Sequence, residues 1–197
     1  MRRLVFLLLA LSLAAAQCSM IVAEAEAAYE PYIGVSSVDC GAQHSEDFYA
    51  DLSALAGDYE RGADCFKEEG EPTKAIAYYL LAGEKYQVAA DALCDTDYSL
   101  KMQLYISAGD SYRAAGDTDT ARQIYESAET LYLAHMGTIP PSLNADVQGR
   151  LHELDYPVPG TIQDVKTSDE ADWTPIAFAV IVMVGLGLVG VTILRKR

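Results

Sequence analysis

Basic residues are scarce in this chain: 14 Lys and Arg stand against 29 Asp and Glu in 197 residues, a formal charge of −15. Between Glu26 and Asp172 the balance is 28 acidic to nine basic side chains, or −19. Such a surface repels a phosphate backbone, so nucleic acid is excluded as a partner class. Cysteine is also sparse. Four residues cannot build a disulfide miniprotein of this length. None forms a C-x-x-C pair, so zinc and redox motifs lack their ligands. The three histidines, His44, His135 and His152, are far apart and read as surface or helix-end residues. No Ser-His-Asp or Cys-His arrangement is suggested. Asp95-x-Asp97 and Asp117-x-Asp119 lack the further acidic positions and the Gly of a calcium loop, and read as turn and cap residues. The sequence therefore predicts no catalytic residues, no metal site and no cofactor, and a protein that is not an enzyme.

What is present is apolar at the two ends and acidic between them. Met1-Arg2-Arg3, an apolar run from Leu4 to Leu13 and Ala14-Ala15-Ala16 have the layout of a secretory signal, with cleavage after Ala16 or after Ala25 in Ala23-Glu24-Ala25. A lipoprotein reading of Cys18 is disfavoured, because Gln17 stands where a small residue is wanted. At the other end, Ile176 to Leu194 is 19 residues without a charge. At about 1.5 Å rise per residue a helix of that length spans nearly the ~30 Å hydrocarbon core. Trp173 sits at the interface position, and Arg195-Lys196-Arg197 follows at once. Positive charge stays on the cytoplasmic side, which predicts a single-pass cell-membrane protein with a cytoplasmic tail and an extracytoplasmic acidic domain.

The middle repeats itself. Shifted by 46 residues, Tyr59 aligns with Tyr105, Ala63 with Gly109, Phe66 with Tyr112, and Gly70 with Gly116. Ala75 then aligns with Ala121, Tyr79 with Tyr125, Ala82 with Ala128 and Tyr86 with Tyr132. Aromatic and small residues at helical intervals on either side of a Gly describe two antiparallel helices, with small residues admitting the neighbouring backbone and aromatics filling the gaps. Caps and breakers set the expected boundaries. The first hairpin runs from near Ser45 to Glu69, then from Pro72 to about Cys94. The second runs from near Ser99 to Gly116, then from Thr118 to Met136-Gly137. Pro140-Pro141 forces a break. Ser142 can cap a last helix on which Leu143, Val147, Leu151 and Leu154 form one apolar stripe.

This pattern resembles the tetratricopeptide repeat. Met102 to His135 carries Tyr105, Ala108-Gly109, Tyr112, Gly116-Asp117, Ala121, Tyr125 and Ala128 at that family's offsets. Ala56 to Ala89 carries Tyr59, Ala63, Phe66, Gly70, Ala75, Tyr79 and Ala82, and departs at Gly62, where a larger apolar residue is usual. Both copies lack the terminal Pro. The resemblance covers about 80 residues and implies an all-α fold: an α-solenoid of two hairpins plus a C-terminal capping helix, followed by the transmembrane helix. The implied organisation is a signal at 1–25, an irregular segment at 26–44, a helical domain at 45–155, a linker at 156–172, a membrane helix at 173–194 and a basic tail at 195–197.

In that family, side chains of the first helix of each repeat line a groove that holds peptides. The corresponding positions here include Glu60, Asp64 and Lys67 in one copy, and Gln103, Ile106, Asp110 and Arg113 in the other. Glu60/Ile106 and Asp64/Asp110 replace the Lys and Asn of the family's carboxylate-clamp subclass, so a C-terminal carboxylate is not the expected ligand. A mixed groove with an acidic bias suits a basic or neutral protein or peptide. In an antiparallel pair the start of the first helix lies near the end of the second, which makes a Cys40–Cys94 disulfide sensible, with Cys65 a buried apolar thiol. The function expected from all this is a membrane-anchored extracytoplasmic adaptor or scaffold; the alternative is a permanent accessory subunit of a larger membrane or envelope complex.

Overall fold

A computed structural model describes residues 17–38, 46–94 and 97–156. All lie in the first of the two units into which the chain divides, 1–161 and 162–197. The regular structure of the described residues is all α-helix, with no strand. In chain order the helices are α1 (residues 17–28), α2 (Glu30–Ile33), α3 (Glu46–Glu68), α4 (Pro72–Ala92), α5 (Tyr98–Ala114), α6 (Thr118–Ala134) and α7 (Pro141–Asp155). From α3 onward each packs chiefly on its neighbours in sequence, and α7 also touches α5. Among the described residues no helix is long and apolar enough to cross a membrane. The expected span at 173–194 lies outside the described residues, as do the linker beyond Tyr156, the basic tail and the whole apolar run before Gln17.

The hairpins form where breakers and caps direct them. Gly70 and Gly116 both take left-handed backbone, with φ of +76° and +85°, which glycine adopts without a Cβ clash. Each closes its helix with the same pair of bonds. Glu71 N–H donates to Phe66 O (2.8 Å) and Gly70 N–H to Lys67 O (3.1 Å); Asp117 N–H donates to Tyr112 O (2.9 Å) and Gly116 N–H to Arg113 O (3.0 Å). These are Schellman closures, which satisfy two carbonyls that the helix end would leave unpaired. Asp97 and Asp117 cap the next helices by accepting from Leu100 N–H (2.9 Å) and Thr120 N–H (3.1 Å).

The core runs along the stack in three patches. Leu55, Tyr59, Ala63 and Phe66 of α3 meet Ala75, Tyr79 and Ala82 of α4. Leu52 joins Val88, Ala89, Leu93 and Leu104 at the other end of that hairpin. Met102, Ile106, Ala121, Tyr125 and Ala128 fill the second hairpin, and Val147 of α7 seals it with Leu143, Leu151 and Leu154 packed around. That is the apolar stripe expected of the last helix. Gly109 explains how Tyr125 enters: a Cβ there would stand 2.3 Å from the ring.

The N-terminal segment differs from expectation. Residues 26–44 read as irregular, yet 26–28 continue α1 and Glu30–Ile33 form α2. Helix α1 turns Cys18, Val22 and Ala25 inward at positions i, i+4 and i+7, all at most 3 % exposed. Val22 fits the hollow left by Gly62, where a Cβ would lie 2.5 Å from Val22 Cγ2. The departure at Gly62 is thus the slot for α1, which local periodicity in the repeats could not reveal. Lys85, 1 % exposed, holds the rest of the segment: its ammonium donates to Ile33 O (2.8 Å) and Val35 O (2.7 Å) and pairs with Glu84 at 3.2 Å. A buried cation needs such partners.

Cys65 also departs from expectation. It is half-buried and bonded to Cys18, with the Cα atoms 5.5 Å apart, so it is not a free buried thiol. Cys94 is likewise in a disulfide. Its expected partner, Cys40, lies outside the described residues.

Candidate functional site

Buried polar side chains link the two helices of each hairpin and the hairpins to one another. One arrangement occurs twice, 46 residues apart. The Tyr79 hydroxyl donates to the Asp64 carboxylate, and the Tyr125 hydroxyl donates to Asp110 Oδ1 at 2.7 Å. In each copy a tyrosine of the second helix is buried, 6 % and 0 % exposed, and its hydroxyl finds an acceptor on the first helix. A buried hydroxyl without such a partner would lose the full value of its solvation. Burial, reinforced by the adjacent carboxylate, pushes both phenols well above the ordinary value.

The second copy adds cations. Arg150 of α7 grips Asp110 with Nε and Nη2, at 2.8 Å to Oδ1 and 2.8 Å to Oδ2, a forked contact that matches the carboxylate plane. Arg113 lies 3.4 Å from the same carboxylate and pairs with Glu153 of α7. Hydrogen bonding to Asp110 is the main cause that holds the Arg150 guanidinium above its usual value. Asp110 therefore ties α5, α6 and α7 together.

Glu60 joins the two hairpins. Ser111 Oγ donates to its Oε1 at 2.5 Å and the Tyr86 hydroxyl to its Oε2 at 3.2 Å. Burial raises the Glu60 carboxyl above the ordinary carboxylate range. The bonds from Ser111 and Tyr86 oppose that rise, while Asp64 and Asp110 add to it. The same logic places Tyr105: its hydroxyl donates to Asp91 at 2.6 Å, and burial followed by that carboxylate raises it.

The seven groove positions thus divide. Lys67, Gln103 and Asp64 are exposed, Asp64 while also accepting from Tyr79, whereas Glu60, Asp110 and Arg113 are half-buried and engaged between helices. Ile106 is 8 % exposed and belongs to the second core patch. Offsets along a repeat say which way a side chain leaves its helix, but not whether the next helix covers it.

Comparison with protein-family models, with curated proteins and with solved structures returns no match to any of them. The resemblance to the tetratricopeptide repeat accordingly rests on the residues themselves.

Other clusters are structural. The sulfurs of Cys18 and Cys65 and a Glu69 carboxylate oxygen lie within 4.8 Å of one another, but the sulfurs are bonded together and supply no thiolate. His135 ends α6 and stacks on Tyr98, with ring centroids 3.6 Å apart. His152 lies beside Tyr156 at 4.9 Å, and His44 is outside the described residues. A shallow depression between α1 and α3 is lined by Ile21, Glu24, Tyr29, Asp58 and Arg61. The Arg61–Asp58 pair at its rim is solvent-facing and contributes little.

Proposed function

We propose that the chain is a single-pass membrane protein whose acidic domain stands outside the membrane as a tetratricopeptide-like adaptor for another protein. The observation that carries the repeat reading is the duplicated hairpin. The same Schellman closure and the same Tyr-to-Asp bond recur at an offset of 46 residues. Two such units leave a flank of core bare at each end. Helix α1 covers one flank and α7 the other, which supports reading the domain as a short capped solenoid. The Cys18–Cys65 bond favours an oxidising compartment, in keeping with an exported domain and a cytoplasmic Arg195-Lys196-Arg197.

On this reading the partner meets the exposed part of the first-helix face, at Asp64, Lys67 and Gln103. Its chemistry is a basic or neutral peptide surface, because the domain carries a large acidic excess. Stacked helices hold the face rigid, so little ordering entropy is lost when a partner docks.

Photocrosslinking side chains placed singly at Lys67 and Gln103 of the full-length protein in cells test this. The expected result is one discrete adduct of the same mass from both positions. A probe at the exposed Glu126 of α6 should not give it. Adducts equally strong from Glu126, or none from any position, refute the adaptor reading. Protease added to intact cells checks orientation, since an extracytoplasmic domain is reached without lysis.

A further inference from the structure

We infer that the export signal ends at Ala16, and that the described stretch of α1, which carries Cys18, Val22 and Ala25, is a permanent part of the exported domain. The inference rests on the reading of the N-terminus as a cleaved signal. Among the stretches with the small-x-small pattern of a signal-peptide cleavage site, Ala14-Ala15-Ala16 and Ala23-Glu24-Ala25 are the two candidates weighed above. Sequence alone does not choose between them; the fold does.

Cleavage after Ala25 removes most of α1. Cys18, 0 % exposed, would be lost, and Cys65 would become a lone thiol in an oxidising compartment. Val22 would be lost as well. The hollow at Gly62, shaped so closely to Val22 that a Cβ there has no room, would open to water. The apolar flank formed by Tyr59, Ala63 and Phe66 would lose its cover, and a bare end is what a short solenoid does not tolerate. Cleavage after Ala16 keeps every one of these contacts.

The same geometry speaks against lipidation of Cys18. A lipidated cysteine needs its sulfur free for a thioether and its position next to the bilayer. Here the sulfur is buried and already bonded to Cys65.

The test is the N-terminal peptide of the full-length protein, recovered from the membrane fraction of cells that export it and read by mass spectrometry without reduction. The expected peptide begins at Gln17 and is linked through Cys18 to the peptide containing Cys65. A chain beginning at Glu26 overturns this inference and leaves the export reading intact. A chain beginning at Met1 overturns both. Two variants separate the sites independently. Ala16→Leu should stop processing, because a large residue blocks the first site. Ala23→Leu, at an exposed position of α1, should leave processing and abundance unchanged. The reverse pattern, or processing unaltered in both variants, contradicts the assignment.

Discussion

Replacing Asp110 by alanine probes the joint between the second hairpin and α7. The Tyr125 hydroxyl loses its acceptor at 2.7 Å in a residue with no solvent exposure. Leaving such a donor unpaired costs about 1–3 kcal/mol. Arg150 loses a forked pair, but its side chain is 27 % exposed and regains water, so that loss is discounted to about 1 kcal/mol. The sum is roughly 2–4 kcal/mol, which for a chain of this size lowers the melting temperature by about 5–12 °C. The assay is thermal unfolding of the detergent-solubilised full-length protein, followed by far-ultraviolet circular dichroism. Tyr125→Phe removes the hydroxyl together with its need for a partner. The double variant should therefore be less unstable than the sum of the single ones, by about 1–2 kcal/mol. At Asp64 the corresponding bond from Tyr79 has no arginine beside it among the described residues, so Asp64→Ala should cost less than Asp110→Ala. Additive single variants, or an Asp110→Ala loss below about 0.5 kcal/mol, would show that the carboxylate is merely solvated.

Gly109→Ala should destabilise by about 1–3 kcal/mol through overpacking, because the new methyl meets the Tyr125 ring; Gly57→Ala, whose Cβ meets only the Tyr86 hydroxyl at 3.5 Å, should be neutral or gain up to about 1 kcal/mol from helix propensity. Denaturant titration of the two variants checks the contrast. Cys18→Ser should cost up to about 4 kcal/mol by the chain-entropy relation for a crosslink across 47 residues, and non-reducing peptide mapping should find Cys94 joined to Cys40. Above pH 10 stability should fall: Tyr59 is raised to about 12, and Tyr79 and Tyr125 are raised further. The folded state thus keeps protons that the unfolded chain releases. The stabilisation is full below pH 10 and is lost as pH climbs toward the raised values, by about 1 kcal/mol per tyrosine between pH 10 and 11. Glu60→Gln should raise the stability of the protein at pH 7, since burial makes the charged form unfavourable. Because the folded carboxyl is raised, the wild type should recover that difference as pH falls below the ordinary carboxylate range, which paired melts at pH 7 and pH 4 would show.

The helical hairpins were legible because their signals are local. Gly70, Gly116, Pro72, Asp97 and Asp117 act within a few residues of themselves, and the expected boundaries stand within a few positions of the observed ones. The stripe Leu143, Val147, Leu151 and Leu154 was readable for the same reason: helical periodicity alone puts it on one face. The groove positions were less legible. Repeat offsets named Glu60, Asp110 and Arg113 as groove residues, but whether each is free depends on α5, α6 and α7 arriving beside them. Arg150, which grips Asp110 from 40 positions away, carries no local mark of that role.

The N-terminus shows most clearly where the two kinds of information part. By itself the sequence determined the all-helical character, the 46-residue repeat, the acidic middle and the apolar, positively flanked ends. Composition and periodicity are sums over neighbouring residues, and they survive without knowledge of the fold. Only the tertiary structure decided that Cys18 joins Cys65, that Val22 fills the place opened by Gly62, and that Lys85 clasps the carbonyls of Ile33 and Val35. Each joins residues 40 or more positions apart, and such contacts form only when the chain closes on itself. A stretch that reads as part of a leader is for that reason a wall of the core.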